Sequence, residues 1–480
     1  MQNSVSKITK EDRCTGCSAC YNVCSQEAIE MQLSMFGFYL PKIDSNKCIS
    51  CGKCLQYCPM NFEKQNKYGE TSNYNITAYG AWSKNDSIRL SSSSGGIFTE
   101  LAISILHEDG VVFGAGWNNQ ILQHMTAAHI EDLVNLQGSK YIPSYIGKSY
   151  IKVCKYLELG KKVLFVGTPC QIAALKGVVK HENLVTVDLI CLGVPSLVAF
   201  KKYIISKIGN KEIKTIMFRD KKYGWENYSI KITTMDNYVY ESASKYDPFM
   251  VGFLKTLYLN KVCYSCPFAK LPRMGELTLG DYWGVDEKIR NQKGISVVLV
   301  NNRKGEILLD KLIFQKRIIL FNTEIKAISE KNKRLIEGQY NIPAIREELL
   351  QELIKNDFKL IEQKFIKPPD RFLLEKIKPR LMKEQLIIFG TGSASQRIFH
   401  FFNEKSIKFN IKYFVDNNQS KWEQYFFSKK ICEPKKLLQE RKESIFVIVA
   451  SSYYTEIKAQ LERMGFLENV HFINGMHLLI

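Results

Sequence analysis

A chain of 480 residues is too long for one domain and points to about three. With 45% hydrophobic and 24% charged residues, the composition is that of a globular protein with a sizeable core, which excludes a fibrous or disordered chain. The net charge is +19, but the lysines are dispersed and often alternate with acids, without the compact basic block interleaved with aromatics that marks a nucleic-acid footprint. Nucleic acid is therefore not expected as a partner. The charge suits an acidic electron-transfer protein or phosphate-bearing ligands through electrostatic steering. No apolar run is long enough to span a bilayer, and the opening MQNSVSKITKEDR has no apolar h-region. Fourteen cysteines fit an intracellular, metal-rich protein better than a disulfide scaffold, so the expected location is cytoplasmic.

The first element is CTGCSACYNVC, with Cys14, Cys17, Cys20 and Cys24, and CISCGKCLQYCP repeats its spacing at Cys48, Cys51, Cys54 and Cys58. This C-x2-C-x2-C-x3-C run is that of bacterial two-cluster ferredoxins, where the fourth cysteine of each run ligates the other cluster. Cys14, Cys17, Cys20 and Cys58 are thus expected to hold one 4Fe–4S cluster, and Cys48, Cys51, Cys54 and Cys24 the other. A looping backbone lets three thiolates converge on one cubane while the fourth begins a helix leading away. Pro59 follows Cys58 as in such proteins, whereas Ser25 follows Cys24. A doubled eight-cysteine run speaks against zinc sites or disulfides. The ferredoxin domain is expected over 1–65, followed by a polar linker, EKQNKYGETSNYN.

From about Ile76 short apolar strands alternate with amphipathic helices. AYGAWS and VVFGAGW read as strands, FTELAISILHEDG as the helix between them, then KSYIKVCKYLELG (helix), KKVLFVGTPC (strand and turn), QIAALKGVVK (helix) and LVTVDLICLG (strand). This predicts an α/β domain over 76–328 with strands at least partly parallel. Ser93, Ser94, Gly95 and Gly96 precede the first helix, a combination that exposes N–H and hydroxyl donors to an anion, or simply forms a turn with an N-cap. Gly167 and Thr168 close a strand-to-helix turn, where α/β sheets bind ligands.

SSSSGG, Gly138-Ser139-Lys140-Tyr141, VGTPCQ, Asp188-Leu189-Ile190-Cys191, Cys263-Tyr264-Ser265-Cys266-Pro267 and GDYWG occur in that order. Together they resemble the beta-subunit family of hydrogenases and dehydrogenases that reduce coenzyme F420, a deazaflavin. The resemblance implies a flavoprotein that binds FAD, carries a 4Fe–4S cluster, and passes electron pairs between the flavin and an organic partner. Carried over, it implies that Ser93, Ser94, Gly95, Gly96, Gly138, Ser139 and Lys140 bind the flavin, Lys140 neutralising a pyrophosphate or the reduced ring near N1. Asp281, in LTLGDYWG, is a candidate for a cofactor ribose or for proton handling, and equally for a turn. Phe218-Arg219-Asp220-Lys221 with Gly224-Trp225 also resembles a family segment. Many relatives have histidine after the cysteine of the LIC segment; here Leu192 stands there, so no proton relay is assumed.

Cys170 at a helix start, Cys191 after a neighbouring strand, and the Cys263/Cys266 pair supply four thiols from three segments. That arrangement and the resemblance imply a third 4Fe–4S cluster; a redox-active CxxC pair and buried structural thiols are the other readings. Cys154 and Cys432 lie on apolar patterns and read as core. The seven histidines show no metal-ligand spacing.

Charged, helical sequence over 329–383 reads as a connector. A last unit, 384–480, opens with LIIFGTGSASQRIFHFF, where Gly390 and Gly392 match a dinucleotide fingerprint whose third glycine is Ser395, with Asp416 placed for a ribose. Its layout resembles the Rossmann-like domain attached to nucleotide-sugar-modifying enzymes and glycosyltransferases. The expected whole is a multidomain α+β and α/β chain: ferredoxin fold, flavin-binding α/β domain, Rossmann-like domain. The expected function is an iron–sulfur flavoprotein oxidoreductase. It would pass electrons from a soluble donor such as ferredoxin or flavodoxin to FAD and then to an organic substrate or deazaflavin, with polysaccharide biosynthesis as the associated setting. An electron-transfer subunit without a substrate pocket and a redox sensor are the alternatives.

Overall fold

In the computed structural model the structure describes residues 4–64, 74–338, 340–366, 371–404, 407–451, 453–468 and 470–478. The polar linker expected after the cysteine runs falls largely on 65–73, outside the described residues. The chain divides into two compact units, 1–366 and 367–480.

The first unit opens with a hairpin, β1 (Ile29–Leu33) and β2 (Tyr39–Ile43), between the two cysteine runs. There follow β3 (Thr77–Ser83), β4 (Val111–Asn118), β5 (Ile121–Ala127), β6 (Val163–Gly167) and β7 (Leu184–Leu189). A three-stranded antiparallel excursion, β8 (Ile213–Asp220), β9 (Ser229–Thr234) and β10 (Val239–Ala243), precedes β11 (Leu277–Asp281), β12 (Ser296–Val300) and β13 (Ile318–Thr323). The main sheet runs β13-β3-β12-β11-β7-β6-β4-β5. Its centre, β11-β7-β6-β4, is parallel, and both flanks are antiparallel.

The parallel strands are buried on both faces, which is why VLFVG and LVTVDL are nearly continuous apolar runs rather than alternating ones. Leu164, Val166, Val185 and Val187 face a core closed by the helices Ile97–Leu106 and Arg303–Phe314. Val163, Phe165 and Leu184 face the opposite core, closed by Ser149–Glu158 and Pro169–Val178. Cys17 and Ala19 of the first cysteine run belong to that second core. Tyr150, fully buried, donates its hydroxyl towards the carbonyls of Cys17 (2.9 Å) and Gln171 (3.1 Å). The cysteine-rich segment is therefore built into the first unit rather than tethered to it.

The stretch expected as a helical connector, 329–383, contributes side chains to the cores of both units. Leu349, Leu350, Leu353, Phe358 and Ile361, from the helices Arg346–Lys355 and Phe358–Lys364, are buried in the first unit's aromatic core. Ile377 and Leu381 of the helix Arg371–Lys383 belong to the core of the second unit. Amphipathic helices with leucines at helical spacing bury that face wherever a core receives it, so high charge did not make the stretch a free spacer.

The second unit holds β14 (Gln385–Phe389), β15 (Ile411–Val415), β16 (Tyr425–Phe426), β17 (Lys429–Cys432), β18 (Ile445–Val449) and β19 (Phe472–Asn474). The order is β16-β17-β15-β14-β18-β19, parallel throughout except for the edge strand β16. Leu386, Ile388 and Phe414 face one core, and Ile387, Phe389 and Val415 the other. Among the described residues no helix is long and apolar enough to cross a membrane.

Candidate functional site

Both cysteine loops depend on left-handed backbone. Gly16 (φ +71°) and Ser18 (φ +61°) turn the first, and Ser50 (φ +56°) and Gly52 (φ +77°) the second. Gly16 also lies so close to Tyr39 that an added Cβ would stand 3.0 Å from its carbonyl oxygen. The short helices Ala19–Val23 and Lys53–Gln56 then carry Cys20 and Cys54 inward. All fourteen cysteines are free.

Several of the thiols of the two runs act on one another. Burial, together with the neighbouring thiols of Cys14, Cys17 and Cys58, pushes Cys20 well above the usual range. Burial and Cys17 raise Cys14 and Cys58 to about 12 each. Cys54 is raised by burial and then by Cys48 and Cys51. Cys51 is exposed, Cys14, Cys24 and Cys48 are half-buried, and Cys17, Cys20, Cys54 and Cys58 are buried.

The four remaining candidates converge as well. Thr168 caps the helix Pro169–Val178 in a reciprocal box with Gln171, placing Cys170 in the first turn with the Thr168 Oγ1 3.2 Å from its sulfur. Cys191 lies two residues beyond β7, and Cys263 sits in the turn Lys261–Tyr264, its sulfur accepting from the Val194 amide at 3.4 Å. Gly193 (φ +144°) lets these segments meet, since a Cβ there would lie 3.1 Å from that of Cys263 and 2.7 Å from Leu259. Cys170, Cys191, Cys263 and Cys266 line one small cavity, together with Arg334 and with Thr15 of the first cysteine run. Burial raises all four thiols, and the neighbours acting on Cys170 include Cys266, Cys191 and Cys17. Among the described residues no three His, Cys, Asp or Glu side chains converge on one point as a single ion requires. A cubane asks for something else, because each thiolate binds a different iron.

Away from this cavity, the serine turn and its partners form a second cluster. The Ser139 amide donates to the Ser93 Oγ at 2.6 Å, and the Ser94 hydroxyl donates to the Ile295 carbonyl at 2.7 Å. Gly95 is pressed against two strands, where a Cβ would stand 2.4 Å from the Ala81 carbonyl oxygen. Gly96 (φ +88°) leads into the helix Ile97–Leu106, which no side chain caps. Gly138 (φ +80°) faces open space. Lys221 donates to the carbonyls of Arg89, Ser94 (3.2 Å) and Lys293 (2.7 Å), and burial followed by Arg219 pushes it down to about 8.

Not every expected ligand points there. The Lys140 ammonium donates to three backbone carbonyls, of Asn135 (3.3 Å), Leu136 (2.9 Å) and Gln137 (2.7 Å), so its donors close the end of a short helix instead of meeting a phosphate. Gly167 ends β6 and Thr168 caps the helix that carries Cys170. Asp281 pairs with Arg219 and accepts from the Trp225 indole N–H at 2.9 Å, so both its oxygens are engaged within the protein. What sequence reasoning missed is Arg219 itself. Its side chain is buried over the rings of Tyr228 (4.3 Å) and Trp283 (5.1 Å), with Nε and one Nη lacking partners. The FRDK segment carried that signal, but its place in the molecule was not legible from it.

In the second unit Gly390 (φ +111°) would clash with the Ala450 carbonyl if it bore a Cβ, and the Ser395 hydroxyl donates to the Gly390 carbonyl at 2.6 Å. Asp416 accepts from Thr391, Lys421 and the Asn418 amide, which engages both its oxygens.

Residues 160–326 match the family described as the C terminus of the coenzyme F420 hydrogenase/dehydrogenase beta subunit. Residues 13–62 match the 4Fe–4S dicluster domain, and 382–470 the C2185-like N-terminal family. An uncharacterized polyferredoxin-like protein of Methanocaldococcus jannaschii is 36% identical over 64 residues, which are 12% of this chain; the chain spans only 38% of that relative's length. Among solved structures, the F420-reducing NiFe hydrogenase complex from Methanosarcina barkeri aligns over 60% of this chain and 91% of that one, at 18% identity and a TM-score of 0.38. A Rex-family repressor, RSP, aligns over 36% of this chain and 81% of that one, at 14% identity and a TM-score of 0.18. Neither structural likeness bears on what this chain does. The paired cysteine loops and the two sequence matches define an iron–sulfur protein of the oxidoreductase, electron-transfer type. Its central part, residues 160–326, is similar to the C terminus of the coenzyme F420 hydrogenase/dehydrogenase beta subunit, and a stretch matching the 4Fe–4S dicluster domain precedes it.

Proposed function

We propose that the chain passes electrons from a soluble donor, such as a ferredoxin or flavodoxin, through three 4Fe–4S clusters to FAD and on to an organic substrate or a deazaflavin. The observation that carries this reading is the cavity shared by Cys170, Cys191, Cys263 and Cys266 with Thr15, which sets a third four-thiol group against the first cysteine run. Cys14, Cys17, Cys20 and Cys58 would hold one N-terminal cluster, and Cys48, Cys51, Cys54 and Cys24 the other. When bound, clusters supply single electrons and a flavin exchanges one or two.

Support for the flavin comes from the second cluster. The turn from Ser93 to Gly96, with Gly138 and Ser139, offers donors on a backbone too tight for side chains. Arg219 adds two buried N–H groups without partners, which a carbonyl-rich ring or an anion would satisfy. Lys221 adds a second cation, and Lys140 is withdrawn from the proposed set. In the C-terminal unit, five parallel strands in doubly wound order with a glycine turn after β14 support a Rossmann-like domain. The link to polysaccharide assembly rests on that domain alone.

The test is iron and flavin analysis of anaerobically purified protein. Three clusters give about twelve irons per chain, and Cys263→Ser with Cys266→Ser should remove about four. An unchanged iron count in that double variant sinks the third cluster.

A further inference from the structure

Arg334 stands in the turn Lys333–Leu335, just beyond the region matched to the beta-subunit family, and is 4% exposed. Its guanidinium donates to three backbone carbonyls: Nε to Cys191 at 3.3 Å, one Nη to Cys263 at 2.7 Å, the other to Gly338 at 2.8 Å. It packs over the Tyr340 ring at 4.7 Å and lines the four-cysteine cavity. Two other buried arginines of this unit have carboxylate partners, Arg273 with Asp188 at 3.2 Å and Arg219 with Asp281. Among the described residues no carboxylate forms an ion pair with Arg334. Backbone dipoles satisfy its hydrogen bonds but not its charge, and an uncompensated buried cation is costly. The groups able to compensate it are the cysteines it faces: its charge acts on Cys191, Cys263 and Cys266 and favours their thiolates.

We infer that Arg334 is the counter-cation of the metal centre at Cys170, Cys191, Cys263 and Cys266, and that its charge raises that centre's reduction potential. The inference rests on the reading that these cysteines hold a 4Fe–4S cluster. Four thiolates around a cluster carry net negative charge, which grows by one when an electron is added. A fixed cation inside a low-dielectric cavity stabilises the more negative form, and net charge and hydrogen bonding are the levers that set cluster potentials. By clipping the carbonyls of Cys191 and Cys263, the same side chain also fixes two ligand segments. Arg334 is thus a positioning residue with an electrostatic role.

The two roles separate in the full-length protein by comparing Arg334→Lys with Arg334→Met. The measurement is an anaerobic redox titration followed by electron paramagnetic resonance. The third centre's signal is identified as the one missing from the Cys263→Ser, Cys266→Ser variant. Arg334→Met should shift the oxidised-to-reduced ratio of that centre at least tenfold towards oxidised at fixed poise, about 59 mV for a one-electron couple. Arg334→Lys should stay within threefold of wild type, and both N-terminal signals should stay in place. Loss of the third centre's iron in Arg334→Met, with retention in Arg334→Lys, also supports the charge. A full iron count with an unmoved potential in Arg334→Met overturns the inference, as does equal damage in both variants, which would leave only the carbonyl clip. A wild-type protein with about eight irons, by contrast, refutes the third cluster itself.

Discussion

Asp281 and Arg219 form an ion pair. The pair is held inside a cage of Trp225, Tyr228 and Trp283, and removing the carboxylate leaves a buried guanidinium without its counter-charge. Asp281→Asn should therefore cost about 3–5 kcal/mol of stability. The double variant Asp281→Asn, Arg219→Met should recover much of that in anaerobic urea unfolding. If Arg219 also serves the flavin, the double variant regains stability yet still purifies without yellow colour. His124 offers a pH-dependent counterpart. It is buried and stacked on Phe165, and burial depresses it from 6.5 to about 4. Below pH 6.5 the unfolded chain takes up a proton that the folded one refuses, so this contribution is complete above 6.5 and is lost as pH falls towards 4. Between pH 7 and pH 5 the wild type should lose about 2 kcal/mol more than His124→Gln in the same unfolding assay. Parallel pH profiles would contradict the burial of a neutral imidazole.

Among the elements, the second cysteine loop is where a donor is expected to dock, because Cys51 is the exposed cysteine of the two runs. Deleting the whole N-terminal segment would strip Cys17 and Ala19 from the first unit's core, so a gentler variant is called for. Cys48→Ser with Cys51→Ser should reduce the iron count by about four and sharply slow reduction by a low-potential ferredoxin. Dithionite should still reduce the remaining centres. Full-rate reduction by ferredoxin would place the port elsewhere. The cysteine loops were legible because all their information is local: spacing, glycines, and the helices that follow. The third group needed residues from 170 to 266 brought together by strand order, to which the placement of Cys170 and Cys191 on neighbouring segments and the family resemblance both pointed. Nothing in GSKY says that three carbonyls of the preceding turn will take the Lys140 ammonium. Arg334 was invisible for a related reason: in EKNKRL an arginine reads as one more solvated charge, and only the folded chain shows it buried beside sulfur.

For the whole molecule, the net charge of +19 sets an expectation about partners. Association with an acidic ferredoxin should slow as salt rises, since attraction between surface charges is screened beyond about 8 Å at physiological ionic strength. A salt-independent rate would mean that the lysines play no part in docking. The two units have separate cores, so a chain ending at Ile366 should keep the full iron content, and residues 371–480 alone should unfold cooperatively. An iron-poor truncated chain would show that the second unit supports the first.

The sharing of one core by the first cysteine run and the main sheet has a consequence for the life of the protein in a cell. Metal supply becomes a checkpoint on folding, because a chain that lacks its N-terminal clusters also loses the seating of Cys17 and Ala19 in one of the sheet's cores. Chains made during iron starvation should be cleared by proteases instead of accumulating as idle apoprotein, and pulse–chase turnover in iron-limited and iron-replete cells would read this directly. Equal half-lives would show that the sheet is sealed without its metal.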